Sequence, residues 1–542
     1  MHTLKLRVRT AMSLDRRRFA ALSGAALLAG ASPLRAQTSS QPPAPATPPV
    51  SPTVAQPPPP SFRFEDVSDR ARRLASEPFQ AAPPVLPPEL AALDYDAYRD
   101  IRFRPERALL GDNGSAFRLQ LFHLGFLFTR PVVVNIVQRG LVAPVPYSAS
   151  LFDYGKNRFG APLPVGLGFA GFRLHYPLND PDKLDELAVF LGASYFRFLS
   201  RGQRYGLSAR ALAIGSGQPG EEFPFFREFW IEQPAKGAEH IVIYALMDGA
   251  SVTGAYQIIL RPGPETAAEV RSEIYPRRSL AAMGVAPLTS MFFTSENDRR
   301  LRDDFRSEIH DSDGLLMHTG GGEWIWRPLA NPPAPRSSHF GDRNPAGFGL
   351  LQRDRNFARY EDLEARYDLR PSYWVEPRGD WGEGTVDLIE LNTPDETNDN
   401  IVAFWTPAKP AEPGEPLRLS YVIRSLDSPD LHRGGKATGT FQTALTGPAS
   451  APDRVRRRFM VDFTSGDLPF FLGSPKRVEL FADVQGGTVA RRSLEPNPVT
   501  RGFRSYLDID APKGSTVEIR SYLTVDGHAV TETWAFAWAV PA

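Results

Sequence analysis

Val517-Glu518-Ile519-Arg520-Ser521-Tyr522-Leu523-Thr524-Val525-Asp526-Gly527-His528-Ala529-Val530-Thr531-Glu532-Thr533-Trp534-Ala535-Phe536-Ala537-Trp538 decides the fold class. Val517, Ile519, Ser521, Leu523 and Val525 alternate with polar residues, and Val530, Glu532, Trp534, Phe536 and Trp538 repeat the two-residue period. That period places one set of side chains on each face of a β-strand. Asp526-Gly527 between the two runs signals a hairpin, with His528 and Ala529 expected to lengthen its loop. Phe459, Val461 and Phe463 alternate in the same way. Short strands of this kind over residues 417–542 predict a small immunoglobulin-like β-sandwich, in architecture only, since the chain has no cysteine.

Working outward, Pro407, Pro410, Pro413, Gly414 and Pro416 interrupt regular structure, so residues 406–416 are expected to link that sandwich to what precedes it. Before the linker, residues 117–121, 131–137, 223–230, 241–246 and 255–260 all read as strands, with Gly and Pro turns between them. Phe64, Val67, Ala71 and Leu74 predict a short amphipathic helix, and a second is expected through Leu90 and Leu93. Long helical periodicity is otherwise missing. Residues 61–405 are therefore predicted to form a large, mostly antiparallel β-sandwich, making the chain all-β with two domains.

Arg7 and Arg9 precede Asp15-Arg16-Arg17-Arg18-Phe19, an apolar run from Ala20 to Ala31, and Leu34-Arg35-Ala36. This is the pattern of an export signal over residues 1–36, and paired arginines followed by x-Phe resemble a twin-arginine signal for export of a folded protein. Residues 37–60 are rich in Pro, Gln, Ser, Thr and Ala, a composition suited to an extended spacer. Lys plus Arg and Asp plus Glu are both 62, but the first 36 residues hold seven of the basic ones and one acidic. Their removal leaves 55 basic against 61 acidic residues, about −6, which argues against nucleic acid as a partner. The absence of cysteine excludes disulfides and thiolate chemistry, and the nine histidines show no familiar ligand spacing, so no metal site or cofactor is expected.

Five of the eight tryptophans (Trp324, Trp326, Trp374, Trp381, Trp405) lie between His310 and Trp405, interleaved with carboxylates, arginines and glycines. Aromatic faces cover the C–H faces of sugars, and Asp, Glu, Asn and Arg bond their hydroxyl rims, so the stretch reads as a carbohydrate site. Trp324, Trp326 and Trp381 are candidate platforms, with Trp324 and Trp326 on one strand face, although each equally suits a sandwich core. Asp313, Glu396, Arg327 and Tyr360 are further candidates for substrate contact. Glu323 and Glu376 are expected to pair with Arg327 and Arg378 or to bind hydroxyls. Gly320-Gly321-Gly322 lacks the following Lys-Ser/Thr of a phosphate loop and reads as a turn. No Gly-x-Ser-x-Gly pattern supports a serine hydrolase.

Leu93-Asp94-Tyr95-Asp96-Ala97-Tyr98-Arg99, Leu191-Gly192-Ala193-Ser194-Tyr195-Phe196-Arg197, Tyr205-Gly206-Leu207-Ser208-Ala209-Arg210, Ala286-Pro287-Leu288-Thr289-Ser290-Met291-Phe292, His310-Asp311-Ser312-Asp313, Trp374-Val375-Glu376-Pro377 and Asp399-Asn400-Ile401-Val402 occur in that order. At these residues the chain resembles the periplasmic glucan biosynthesis proteins G and D, and its signal is more like the D type. The resemblance implies a galactose-mutarotase-like sandwich joined to an immunoglobulin-like domain, in a periplasmic protein that acts on β-1,2-linked glucan. Members look like inverting β-1,2-glucanases. Asp399 then corresponds to the general acid and Asp311 to the general base.

An inverting hydrolase needs a protonated acid at the leaving oxygen and a carboxylate that activates water from the opposite face. Asp311 and Asp313, two residues apart on an extended segment, would face the same side and compete for the base role, which a chain of waters can also relay. A non-catalytic alternative fits the same residues. In it, the protein is a glucan chaperone or assembly factor serving the membrane glucan synthase or the enzymes that add substituents.

Overall fold

The computed structural model describes residues 61–81, 86–299, 303–427, 430–445 and 451–542. The export signal and the spacer lie outside them. Two extended sheets dominate the described residues. The first, of ten strands, runs in the spatial order Arg118–Phe122, Gly171–Tyr176, Asp185–Leu191, Tyr195–Phe198, Ser208–Arg210, Met283–Ser290, Ile401–Pro407, Glu383–Glu390 and Arg336–Arg343, with Leu212–Ile214 paired to Met283–Ser290 off this path. The second, of fifteen, has Ser372–Arg378, Leu417–Leu426, Ala267–Pro276, Val252–Arg261, Ile241–Asp248, Phe225–Glu232, Val133–Gln138 and Leu141–Pro144 as one half. The apolar inner faces of the first sheet and of this half meet in one core that includes Phe172, Phe190, Phe229, Ile243, Leu288, Val375 and Trp405.

Nearly every pairing is antiparallel, as the alternation predicts. The helix Phe64–Ala75 forms where expected, and buried Phe64, Val67 and Ala71 pack on Trp230, Tyr244, Leu246 and Ala255 on the outer face of the second sheet. This explains why Ile241–Asp248 reads as an apolar run, since both of its faces are covered. Short helices follow at Pro88–Ala91 and Tyr95–Arg99, the latter capped by the Asp94 side chain, which accepts from the Ala97 N–H.

The second sheet continues through Gly347–Leu351, Gly314–His318 and Trp324–Pro328 into Thr533–Ala539, Thr516–Val525 and Val478–Gln485. This end faces a four-stranded sheet of Lys436–Ala444, Arg454–Thr464, Gly502–Pro512 and Thr488–Asn497. Phe459, Val461, Phe463, Leu507, Val517, Ile519, Leu523, Trp534 and Phe536 fill the smaller sandwich between them.

Two expectations need correction. Residues 406–416 are not the division between domains. Leu417–Leu426 returns to the large sheet and pairs with both Ala267–Pro276 and Ser372–Arg378, burying Leu419, Tyr421 and Ile423 in the larger core. The chain passes to the smaller sandwich only after Leu426, and the proline-rich segment is a loop between two strands of the large one. His528 and Ala529 do not lengthen the hairpin loop either: they pair with Val525 and Thr524. Asp526 and Gly527 both have positive φ, 51° and 81°, the conformation of a two-residue turn whose twist matches its strands.

This turn supplies a stability test. Gly527→Val places a β-branched residue in the left-handed region and is expected to cost about 1–2 kcal/mol, whereas Gly527→Asn is expected to stay within about 0.5 kcal/mol. Urea denaturation followed by tryptophan fluorescence measures both. Equal midpoints for the two variants would contradict the turn geometry.

Candidate functional site

Met283–Ser290 ends where the chain changes partners. Ser290 pairs with Ile401, whereas Phe292, two residues on, pairs with His310. Asn400 bridges the change. Its side-chain Oδ1 accepts from the Phe292 N–H at 2.8 Å, and its Nδ2 donates to the carbonyls of Phe292 at 2.9 Å and Leu391 at 3.0 Å. The Asn400 N–H donates to Ser290 O at 3.1 Å, and the Asp311 N–H donates to Met291 O at 2.8 Å. The segment Ser290–Phe292 is thus flanked by Asp311 on one side and by Asp399, next to Asn400, on the other. Two motifs almost ninety residues apart meet across three residues.

Asp311 is completely buried, with the Arg370 Nε 3.5 Å from its Oδ1. Burial lowers the affinity of the Arg370 guanidinium for its proton, and Tyr367, Asp362 and Glu396 act in the opposite direction. Glu396, also buried, pairs with Arg306 at 2.9 Å, and Arg306 reaches Asp362 at 2.9 Å and Asp304 at 2.7 Å. Carboxylates and guanidiniums therefore alternate beneath the loop that holds Asp399, which is itself half-buried.

The chain bends at residues 311–313, so the strand alternation expected for Asp311 and Asp313 fails. Asp313 turns to the side of His310, with Oδ1 3.3 Å from the His310 Nε2, while its Oδ2 accepts from the backbone N–H groups of Arg353 and of Asp354, the latter at 2.6 Å. Glu308 Oε2 also lies 3.3 Å from the same nitrogen. Burial alone would lower the His310 pKa, but the Asp313 and Glu308 carboxylates raise it to about 9; burial and Glu308 raise that of Asp313 to about 6 against the opposing His310. Glu308 and Asp313 line a cavity of about 170 Å³ with Glu296, Arg353, Arg359 and Thr440. Burial also raises the pKa of Glu296. Asp311 and Asp399 are not among the residues lining that cavity.

Of the aromatic candidates, Trp326 is among the residues lining that cavity, and Trp324, Trp381 and Tyr360 are not. Trp326 belongs to the smaller core, its ring covered at 3.6 Å by the Arg353 guanidinium, and Gly314 leaves room where a Cβ would strike that ring. Trp324 leans on the same core, stacked between His318 at 4.1 Å and Trp374 at 5.8 Å. Trp381 packs against Trp405 and Tyr421 and donates to Ser420 O. Trp381 is enclosed and packs as a core side chain, not as the platform expected of it, whereas Trp326, though largely buried, keeps part of its ring on the cavity wall. Tyr360 is fully buried beside His310 and Tyr367, its hydroxyl donating to Asp354 O. Arg327 is buried and pairs with Glu518, while Glu323 pairs with Arg520, because four residues along a strand separate Glu323 and Arg327 by about 13 Å. Glu376 does meet Arg378, at 3.0 Å.

Sequence reasoning missed Arg370, Arg306, Glu296 and Glu308. Only Glu308 carried a local signal, since it stands two residues before His310, just ahead of the strand Ile309–His310.

The family model described as "Periplasmic glucan biosynthesis protein, MdoG" matches residues 62–538. The probable glucans biosynthesis protein D of Shewanella oneidensis is 44% identical over 486 residues, 89% of each chain. The glucans biosynthesis protein G of Pseudomonas paraeruginosa is 44% identical, covering 88% of this chain and 92% of its own, and that of Vibrio cholerae is 42% identical, covering 89% and 87%. With its motif aspartates gathered around one strand and its relatives matching along nearly the whole folded body, the chain belongs to the periplasmic glucan biosynthesis family.

Proposed function

We propose that the protein contributes to periplasmic glucan biosynthesis by hydrolysing the β-1,2-glucan backbone with inversion, with Asp399 as general acid and Asp311 as general base. The supporting observation is the placement of both aspartates on either side of Ser290–Phe292. Two strand spacings separate their backbones by about 10 Å, which is compatible with the wider carboxyl spacing of an inverting pair. The Asp399 carboxyl donates its proton to the glycosidic oxygen as the bond from that oxygen to the anomeric carbon breaks. Water attacks the anomeric carbon from the opposite face and loses a proton toward Asp311. Because Asp311 is sealed against Arg370, that proton travels through intervening water.

Product analysis of linear β-1,2-glucan tests this reading. The mature protein is expected to release short oligosaccharides of inverted anomeric configuration, and Asp399→Asn to lower turnover at least about a hundredfold with the fold and glucan binding retained. Full turnover in the variant would remove Asp399 from the mechanism. A second reading draws on the same burial of Asp311 in an ion pair, an arrangement that also suits a purely structural role: a glucan-binding assembly factor for the membrane synthase. Binding of the polymer without release of any product would favour it.

Arg370→Gln is expected to destabilise the protein by about 3–5 kcal/mol, since it strips the buried Asp311 carboxylate of its counter-charge; the shift in denaturation midpoint measures this. Export is proposed to use the twin-arginine route, so lysine at both Arg16 and Arg17 is expected to leave the precursor in the cytoplasm, as cell fractionation would show.

A further inference from the structure

The cluster of Glu308, His310 and Asp313 plays no part in the proton transfers above, and its contacts are longer than those of a tight ion pair. Both carboxylate oxygens stand 3.3 Å from the same nitrogen, the His310 Nε2. A charge-assisted N–H···O bond closes to about 2.7–2.9 Å. By contrast, the edge of a tetrahedron around an ion with bonds of about 2.0–2.1 Å is about 3.3–3.4 Å. The ligating oxygens and nitrogen all lie within 4.8 Å of one another.

The surroundings orient these atoms as metal ligands are usually oriented. Gln352 donates from Nε2 to the carbonyls of His310 at 2.9 Å and Tyr367 at 3.0 Å, which fixes its Oε1 as an acceptor toward the His310 Nδ1 at 2.9 Å. The His310 Nδ1 must therefore be the donor, and Nε2 is the nitrogen directed between the two carboxylates. Backbone N–H groups hold the Asp313 Oδ2 and leave Oδ1 for the cluster. Phe292 stacks on the imidazole and Tyr360 meets its edge, so the ring cannot turn away. Two carboxylates and a neutral imidazole carry charge −2, the complement of a divalent ion. Glu308 and Asp313 also line the cavity of about 170 Å³, which provides an entry path and space for a fourth ligand.

We propose that Glu308, His310 and Asp313 bind one divalent cation of the zinc class, through Oε2, Nε2 and Oδ1, with a fourth position open to the cavity for water or a sugar hydroxyl. The spacing Glu-x-His-x-x-Asp is unlike the usual histidine pairs, which is why composition and spacing pointed away from a metal. The proposal goes beyond hydrolysis and stands whether or not the protein cleaves glucan, because its readout is the ion itself.

The test is titration of the EDTA-treated, dialysed mature protein with zinc chloride alone, followed by calorimetry and by elemental analysis after desalting. One equivalent is expected to bind, with Glu308→Gln and Asp313→Asn each weakening it at least tenfold while retaining their near-ultraviolet spectra. His528→Gln, at an exposed histidine of the C-terminal hairpin, is expected to leave it unchanged. Cobalt bound to the wild type supplies a reading independent of any variant's folding: a four-coordinate site gives the intense visible absorption of tetrahedral cobalt. Absence of saturable binding, zinc binding that Glu308→Gln and Asp313→Asn leave intact, or a cobalt spectrum of a hexa-aqua type would each overturn the site.

Discussion

Asn400 stands where one ladder of hydrogen bonds gives way to another. Ser290 belongs to the large sheet and Phe292 to a separate two-stranded pairing, and a buried backbone at such a crossing risks unpaired peptide groups, each costing about 1–3 kcal/mol. A primary amide has the donors and the acceptor of a peptide group in a side chain. Asn400 uses them to satisfy both the N–H and the C=O of Phe292, together with the carbonyl of Leu391. The same bonds hold the 391–400 loop against the segment from which Asp311 hangs. The relative position of the two motif aspartates is therefore a consequence of sheet closure, and residues that never touch a substrate set it.

Much of this was legible before any coordinates. Alternation in Val517–Val525, the Asp-Gly turn and the amphipathic pattern of Phe64–Leu74 are local signals, and local physics decides them. What failed depended on distant partners. Residues 406–416 contain every mark of a linker, but Leu419, Tyr421 and Ile423 just beyond are claimed by the larger core. Trp381 has the chemistry of a sugar platform, and only the packing of Trp405 and Tyr421 against it shows that its faces are taken. The Arg306–Glu396 and Arg370–Asp311 pairs join residues 90 and 59 apart in sequence, separations at which no period or motif can signal contact.

The smaller sandwich is continuous with the larger. Ile325 and Trp326 pair in parallel with Thr533 and Trp534, so one sheet serves both cores. Arg353 sits at the junction, stacked on Trp326 and paired with the buried Glu532, while its own N–H holds Asp313. Thr440, Asp462 and Thr500 of the smaller sandwich complete the wall of the cavity that Glu308 and Asp313 line. Arg353 thus links the C-terminal sandwich to Asp313, and that sandwich forms part of the cavity wall as well as continuing the sheet.

The buried charges around Ser290–Phe292 divide by what balances them. Asp311 and Glu396 face guanidiniums, which stay protonated at any pH a periplasm experiences, so their counter-charge is permanent. Glu308 and Asp313 share one imidazole, whose Nε2 accommodates either a proton or, in the proposed site, a cation in nearly the same place. A proton leaves the three side chains with a net charge of −1, on which the Arg355 guanidinium also acts, whereas a divalent ion would bring them to zero. One half of the ladder is a frame of fixed charge, and the other half is where occupancy can change.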